Sequence, residues 1–254
     1  MSKKRPSLAS DEAVRRTKLI TSSLATDTWF ALRARATLHA ANHVVSEDRF
    51  NRPTPFGDTF NVTQNSLALT VALALARLFD VSDPDRYPIE QQDKASIPVL
   101  AHLLKRGDVQ DSLAKDARGW HPQLVDGAEL GEASFRDAFS AALGLYETYV
   151  NSQNYQDAQS RLRRFRTGRL AHHLFDNQPT DLPRFDDLDA LADFARQFVQ
   201  AAVLAVEGHD RDLSHEEEIK SKMDRRFWDA ALSAALVAND KAPSVEVDDK
   251  NTHN

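Results

Sequence analysis

Between Val62 and Asp80 the chain places Leu67, Leu69, Val71, Leu73, Leu75, Leu78 and Phe79. Wound as an α-helix, these side chains point nearly all the way round the axis. A helix that is apolar on every side belongs in the middle of its domain. The longest apolar run, Leu67 to Ala76, falls short of the roughly 20 residues that a membrane span needs. A buried central helix is therefore expected, and everything else must wrap around it.

The remaining segments supply the wrapping in helical form. A long first helix starts near Ser10 or Asp11 and carries Leu19, Ile20, Leu24, Trp29, Phe30, Leu32 and Leu38 on one inward face as far as Val44 and Val45. The spacing of three and four is the helical one. Pro53, Pro55 and Gly57 punctuate the turn that follows. After the central helix comes a connector over 82–92, then a short helix from Ser96 to Arg106 with Ser96 as N-cap and Gly107 as stop. A weak helix over 108–117 and a loop precede a fourth long pattern. That pattern runs from Ser134 through Phe135, Phe139, Leu143, Tyr146 and Val150, resumes at Leu162 and Phe165, and ends in the basic stretch described below. Leu188 to Glu207 forms a fifth helix closed by Gly208, and Ser214 with Glu217 reads as a capping box opening a sixth that reaches about Asn239. No strand-like alternation and no internal repeat is present. The expectation is an all-α, antiparallel bundle of five to six helices in one domain over 10–240, with a flexible tail at 1–9 and a disordered acidic tail at 241–254.

Composition narrows the chemistry. The chain has no cysteine, so disulfides, thiolate metal sites and cysteine nucleophiles are absent. No apolar run follows the basic start, so no secretory signal is read there, and a cytoplasmic location is expected. The net charge of −6 argues against general coating of nucleic acid. Its distribution is uneven, however. Arg161, Arg163, Arg164, Arg166 and Arg169 crowd into one short stretch, with His172 and His173 directly behind and five aspartates between 176 and 189. A local basic patch on an acidic protein suits phosphate binding at one defined place.

Residues three and seven apart share a helix face, which aligns Arg166, Arg169 and His173; His172 joins them only if Gly168 bends the helix. Guanidinium groups can hold a phosphate and stabilise the charge it gains in a transition state. An imidazole titrates near neutral pH and can move the proton of a 2′-hydroxyl or of a leaving oxygen. The alternative is a solvated basic helix end whose cations complement the helix dipole.

Arg166-Thr-Gly-Arg-Leu-Ala-His172 resembles the signature of the HEPN superfamily, an arginine separated by four to six residues from a histidine. Leu73-Ala-Leu-Ala-Arg-Leu-Phe-Asp80 and Ser96-Ile-Pro-Val-Leu-Ala-His-Leu-Leu104 are similar to the central-helix and following-helix signatures of the abortive-infection U-type HEPN domains. Together these cover roughly residues 15 to 205 in matching order. The resemblance implies a helical bundle that acts as a homodimer with Arg and His of both subunits facing a shared cleft. It also implies a metal-independent endoribonuclease, of toxin–antitoxin or phage-defence type, needing no cofactor. Arg166 then matches the signature arginine and His172 the signature histidine, with His173 also at a permitted spacing. Arg163, Arg164, Thr167 and Arg169 fall to substrate binding. Thr167 stands where the family commonly has Asn, Asp or His; it keeps a hydroxyl. The implied partners are RNA, a second subunit and an antitoxin or defence-system protein, with no membrane. The alternative is a non-catalytic HEPN module that binds nucleic acid, a nucleotide or a protein.

His39, His43 and Glu47 follow one another at i, i+4 on the first helix, yet a straight helix separates the outer two by two turns. A polar helix face is expected there rather than a metal site. Trp29, Trp120 and Trp228 read as packing residues. Glu216, Glu217 and Glu218 read as a first-turn acidic cluster.

Overall fold

The computed structural model describes residues 8–50, 56–83, 86–167 and 183–241. Among them every regular element is helical. In order these are α1 (Ser10–Val45), α2 (Gly57–Leu78), α3 (Ile97–Leu104), α4 (Gly107–Ala117), α5 (Gly127–Asn151), α6 (Gln153–Phe165), α7 (Phe185–Glu207) and α8 (Leu213–Lys241), with short 3-10 turns at Asp48–Phe50 and Ile89–Gln91. The all-α bundle is as expected, with eight described α-helices in place of five or six. The fourth long pattern is two helices rather than one. The backbone turns extended at Ser152, which closes α5 and opens α6.

The centre of the bundle is α1 with α7, not α2. Along α1, residues 13, 17, 20, 21, 24, 25, 28, 31, 32, 35, 36, 38, 40, 41 and 44 are buried. That set spreads well beyond a single face, and α2, α7 and α8 all pack along this helix. Alanine and threonine make this possible. They are small enough for close approach, and the Thr17 and Thr21 hydroxyls donate to the carbonyls of Ala13 (2.8 Å) and Thr17 (2.9 Å), which removes the cost of burying them. Leu19 and Phe30, expected on the inward face, are exposed. In α2 burial begins only at Val71; Val62, Leu69 and Leu73 face outward. Only the C-terminal half of this apolar helix is central.

Arg35 lies inside the bundle at 7 % exposure. Its Nε and Nη2 donate to the two oxygens of Glu217 (2.8 Å each), Nη2 also donates to Asp193 (3.0 Å), and Nη1 donates to the Asp189 carbonyl (3.2 Å). One guanidinium thus joins α1 to α7 and α8, and Glu217 belongs to this junction rather than to a first-turn dipole effect alone. Ser214 is not the cap of α8. The Asp212 carboxylate accepts the His215 N–H (2.9 Å), while the Ser214 hydroxyl accepts from Arg196.

Three glycines, Gly127, Gly131 and Gly208, carry close contacts that side-chain patterns do not register. α5 starts at Gly127 rather than Ser134 because its first turns press on α4; a Cβ at Gly131 would stand 2.0 Å from the Ala117 carbonyl oxygen. Gly208 ends α7 as expected, with φ of 72°, and the Trp120 ring covers it. A Cβ there would meet Trp120 Cε2 at 2.5 Å. The Gly208→Ala protein therefore loses about 2–3 kcal/mol through backbone strain and overpacking together, read as a lower urea midpoint at unchanged slope.

Candidate phosphate-binding site

α6 brings the arginines to the surface. Leu162 is buried at 2 % exposure and Ala158 likewise, which fixes the inward face of the helix and turns Arg163 and Arg164 outward. The helix is anchored from its side by Arg161. Its Nε and Nη2 donate to the two oxygens of Asp187 at 2.8 and 2.6 Å, and Asp187 also accepts the backbone N–H of Arg184 at 2.8 Å. Asp187 is buried at 8 % exposure in the first turn of α7. So Arg161, the first of the five arginines, is a fastener between α6 and α7. The hydrogen bonds from Arg161 and from the Arg184 backbone outweigh the opposing effect of burial and hold the Asp187 carboxyl below its usual range.

Arg166 sits where α6 ends in a wider π turn over 166–167. Its Nη1 lies 2.7 Å from Asp80 Oδ1, just past the C-terminal end of α2. Lys94 Nζ donates to the other Asp80 oxygen at 2.8 Å. Burial alone would push the Asp80 carboxyl up, but the bonds from Lys94 and Arg166 outweigh it and lower it. Ala76, Phe79 and Leu162 line a shallow cleft whose charged margin is Asp80, Arg163 and Arg166. Arg163 pairs with no carboxylate among the described residues. Arg164 Nη2 donates to the Ser160 hydroxyl (3.1 Å), and Thr167 is exposed.

One turn further along the same α2–α6 seam runs an apolar groove lined by Leu69, Ala72, Phe165, Pro183, Phe185 and Leu188. Phe185 is 55 % exposed and Leu69 38 %. An open apolar groove beside a basic cleft is the kind of surface that partners cover.

The expected site residues are thus divided. Arg163 and Arg166 share one cleft, with Arg164 and Thr167 exposed nearby. Arg169, His172 and His173 lie outside the described residues. Asp80 and Lys94 are the members that sequence reasoning did not single out. Asp80 ends the Leu73–Asp80 segment that carried the resemblance, and an acid at the end of an apolar helix was the available signal. His39, His43 and Glu47 do not converge. His39 Nε2 lies 3.1 Å from Asp189, while Glu47 accepts from Arg49 at 2.9 Å and His43 is exposed. Among the described residues no group of three or more His, Cys, Asp or Glu could hold a metal ion, and no helix is long and apolar enough to cross a membrane.

Residues 11–223 match the model of the HEPN family described as AbiU2, and the chain belongs to that family. The match covers α1 to α7 and ends inside α8, at Met223. It places the chain among helical domains associated with ribonuclease or nucleotide-related roles in defence. Neither the curated proteins nor the solved structures give a match.

The Arg161–Asp187 fastener has a pH signature. A carboxyl whose folded pKa lies below its unfolded value stabilises the fold above the unfolded value, and this contribution drains away as pH falls through the folded one. Asp187→Asn should therefore lower stability by about 2–3 kcal/mol near neutral pH, a partly buried pair losing one partner. The gap from wild type should stay constant above the ordinary aspartate value of 3.8 and close progressively below it. Chemical denaturation across that range checks both statements.

Proposed function

We propose that this AbiU2-type HEPN domain is a metal-independent endoribonuclease. The observation that carries the reading is the placement of Arg166. It stands half-exposed at a helix end, beside Arg163 on an open cleft, with Asp80 fixing one edge of its guanidinium. A guanidinium so oriented has further N–H donors for a phosphate. His172 or His173 takes the proton of the 2′-hydroxyl as that oxygen attacks the adjacent phosphorus. Arg166 stabilises the charge that builds on the phosphoryl oxygens. The phosphorus–5′-oxygen bond breaks, the departing 5′-oxygen is protonated, and a 2′,3′-cyclic phosphate remains on the upstream fragment. Arg163, Arg164 and Arg169 hold neighbouring phosphates, and Thr167 adds a hydroxyl donor.

A homodimer would set two such clefts facing each other, and the apolar groove of Leu69, Phe165 and Phe185 beside Arg166 supports a subunit contact there. A doubled set of cations would suit a chain of phosphates. An antitoxin or another defence-system protein is the regulatory partner that this reading calls for, and a cytoplasmic location fits an RNA substrate.

One observation favours the second reading, a non-catalytic module that binds RNA, a nucleotide or a protein. Arg166 is already paired with Asp80 at 2.7 Å, so part of its charge is neutralised before any substrate arrives. The two readings separate when purified protein is incubated with RNA in excess EDTA beside Arg166→Ala and His172→Ala. The first expects cleavage in EDTA, 2′,3′-cyclic ends, and losses of at least about 100-fold in each variant. RNA retention without cleavage, lost in Arg166→Ala, selects the second.

A further inference from the structure

α8 is apolar on two opposite sides. Its inner side carries Trp228, Leu232 and Leu236 against Val44 and Phe50. A helix on the outside of a bundle should then be polar on its other side. Instead Ile219, Met223, Phe227 and Val237 are 46, 62, 63 and 52 % exposed, and Ala230 and Ala234 are exposed between them. From Met223 onward these positions follow one another at steps of 4, 3, 4 and 3. That is the spacing of a coiled-coil seam, which keeps one narrow stripe facing a partner helix.

The sizes along the seam are graded. Ile219, Met223 and Phe227 occupy its N-terminal half, and Ala230, Ala234 and Val237 its C-terminal half. Two copies laid antiparallel bring Phe227 opposite the partner's Ala230, Met223 opposite the partner's Ala234, and Ile219 near the partner's Val237. Phe227 and Met223 then each meet an alanine, and the same layers recur on both sides of a two-fold axis, as an isologous contact requires. A parallel pair would stack Phe227 on the partner's Phe227 and leave the alanine layers empty, at the cost of cavities. The chain that follows α8 is a poor cover for the seam. Residues 242–254 offer only Ala242, Val245 and Val247 as apolar side chains apart from Pro243.

We infer that the outer face of α8 is a docking surface for a second copy of this chain, joined α8 to α8 in antiparallel register. This contact is separate from the groove beside Arg166 and does not depend on the proposed activity. If both contacts form, dimers join into larger assemblies; if only this one forms, the protein is an α8-linked dimer.

Two measurements test it on the chain of 254 residues. Phe227 is exposed, so Phe227→Glu keeps the helical signal in circular dichroism, and its mass by sedimentation equilibrium should fall below that of wild type, to half of it where the α8 contact is the only one. Because the chain has no cysteine of its own, a mixture of Met223→Cys and Ala234→Cys proteins under mild oxidation should form the mixed disulfide between the two. Equal masses for wild type and Phe227→Glu would overturn the contact. A disulfide confined to pairs of Met223→Cys chains would overturn the antiparallel register. A wild type that is monomeric until residues 242–254 are removed would assign the seam to the chain's own tail, and would also overturn it.

Discussion

A single buried guanidinium organises the bundle. Arg35 lies in the C-terminal third of α1, and its charge can stay buried there only because Glu217, Asp193 and the Asp189 carbonyl surround it. Such a site is strongly destabilised by loss of one partner, so it selects one arrangement of α7 and α8 against α1. The selection passes along α7. Its first turn carries Asp187, which grips Arg161 and sets the rotation of α6. The end of α6 then delivers Arg166 to Asp80 at the end of α2, with Lys94 behind. A series of paired charges leads from the core to the cleft, and the hydrophobic packing between them holds the spacing.

That series also explains why an acidic protein can present a basic site. Of the described arginines in the stretch, Arg161 grips Asp187 with two N–H groups and Arg166 pairs with Asp80, while Arg163 and Arg164 point outward. Under the proposed reading a phosphate approaching the cleft meets Arg166 in a fixed orientation. Lys94 shares the Asp80 carboxylate and so moderates its hold on the arginine. Preorganisation of this kind is more useful to a developing charge than a mobile cation is.

Much of this was readable from the residues, for reasons that differ by element. α3, α7 and the Gly208 stop follow from periodicity and from the left-handed turn that glycine accepts. The all-α class follows from the lack of any alternating segment. The centre of the bundle was misplaced because leucine-rich α2 looked the more buried helix, while α1 is buried through alanine, back-bonded threonine and one paired arginine. The start of α5 was missed because its glycines mark close approach rather than a loop, Gly131 to the end of α4 and Gly127 to the His121 carbonyl in the turn before it. Within the site, Arg166 was legible as the signature arginine of the basic stretch and Arg163 as a phosphate contact, but not their sharing of one cleft. Asp80 and Lys94 were not legible either, since their partnership depends on the loop after α2 folding back. In α8 periodicity alone does not say which of two apolar sides meets the core, since Met223 and Phe227 recur at helical spacing just as Trp228, Leu232 and Leu236 do.

The central claim is that the RNA's own 2′-hydroxyl is the nucleophile at the Arg166 cleft. The most direct measurement compares an RNA with the same sequence carrying 2′-O-methyl groups throughout, incubated in EDTA at equal protein concentration. The account predicts that the RNA is cut, and that the methylated strand is bound but left intact. Cutting of both strands at similar rates, or of neither, would contradict it.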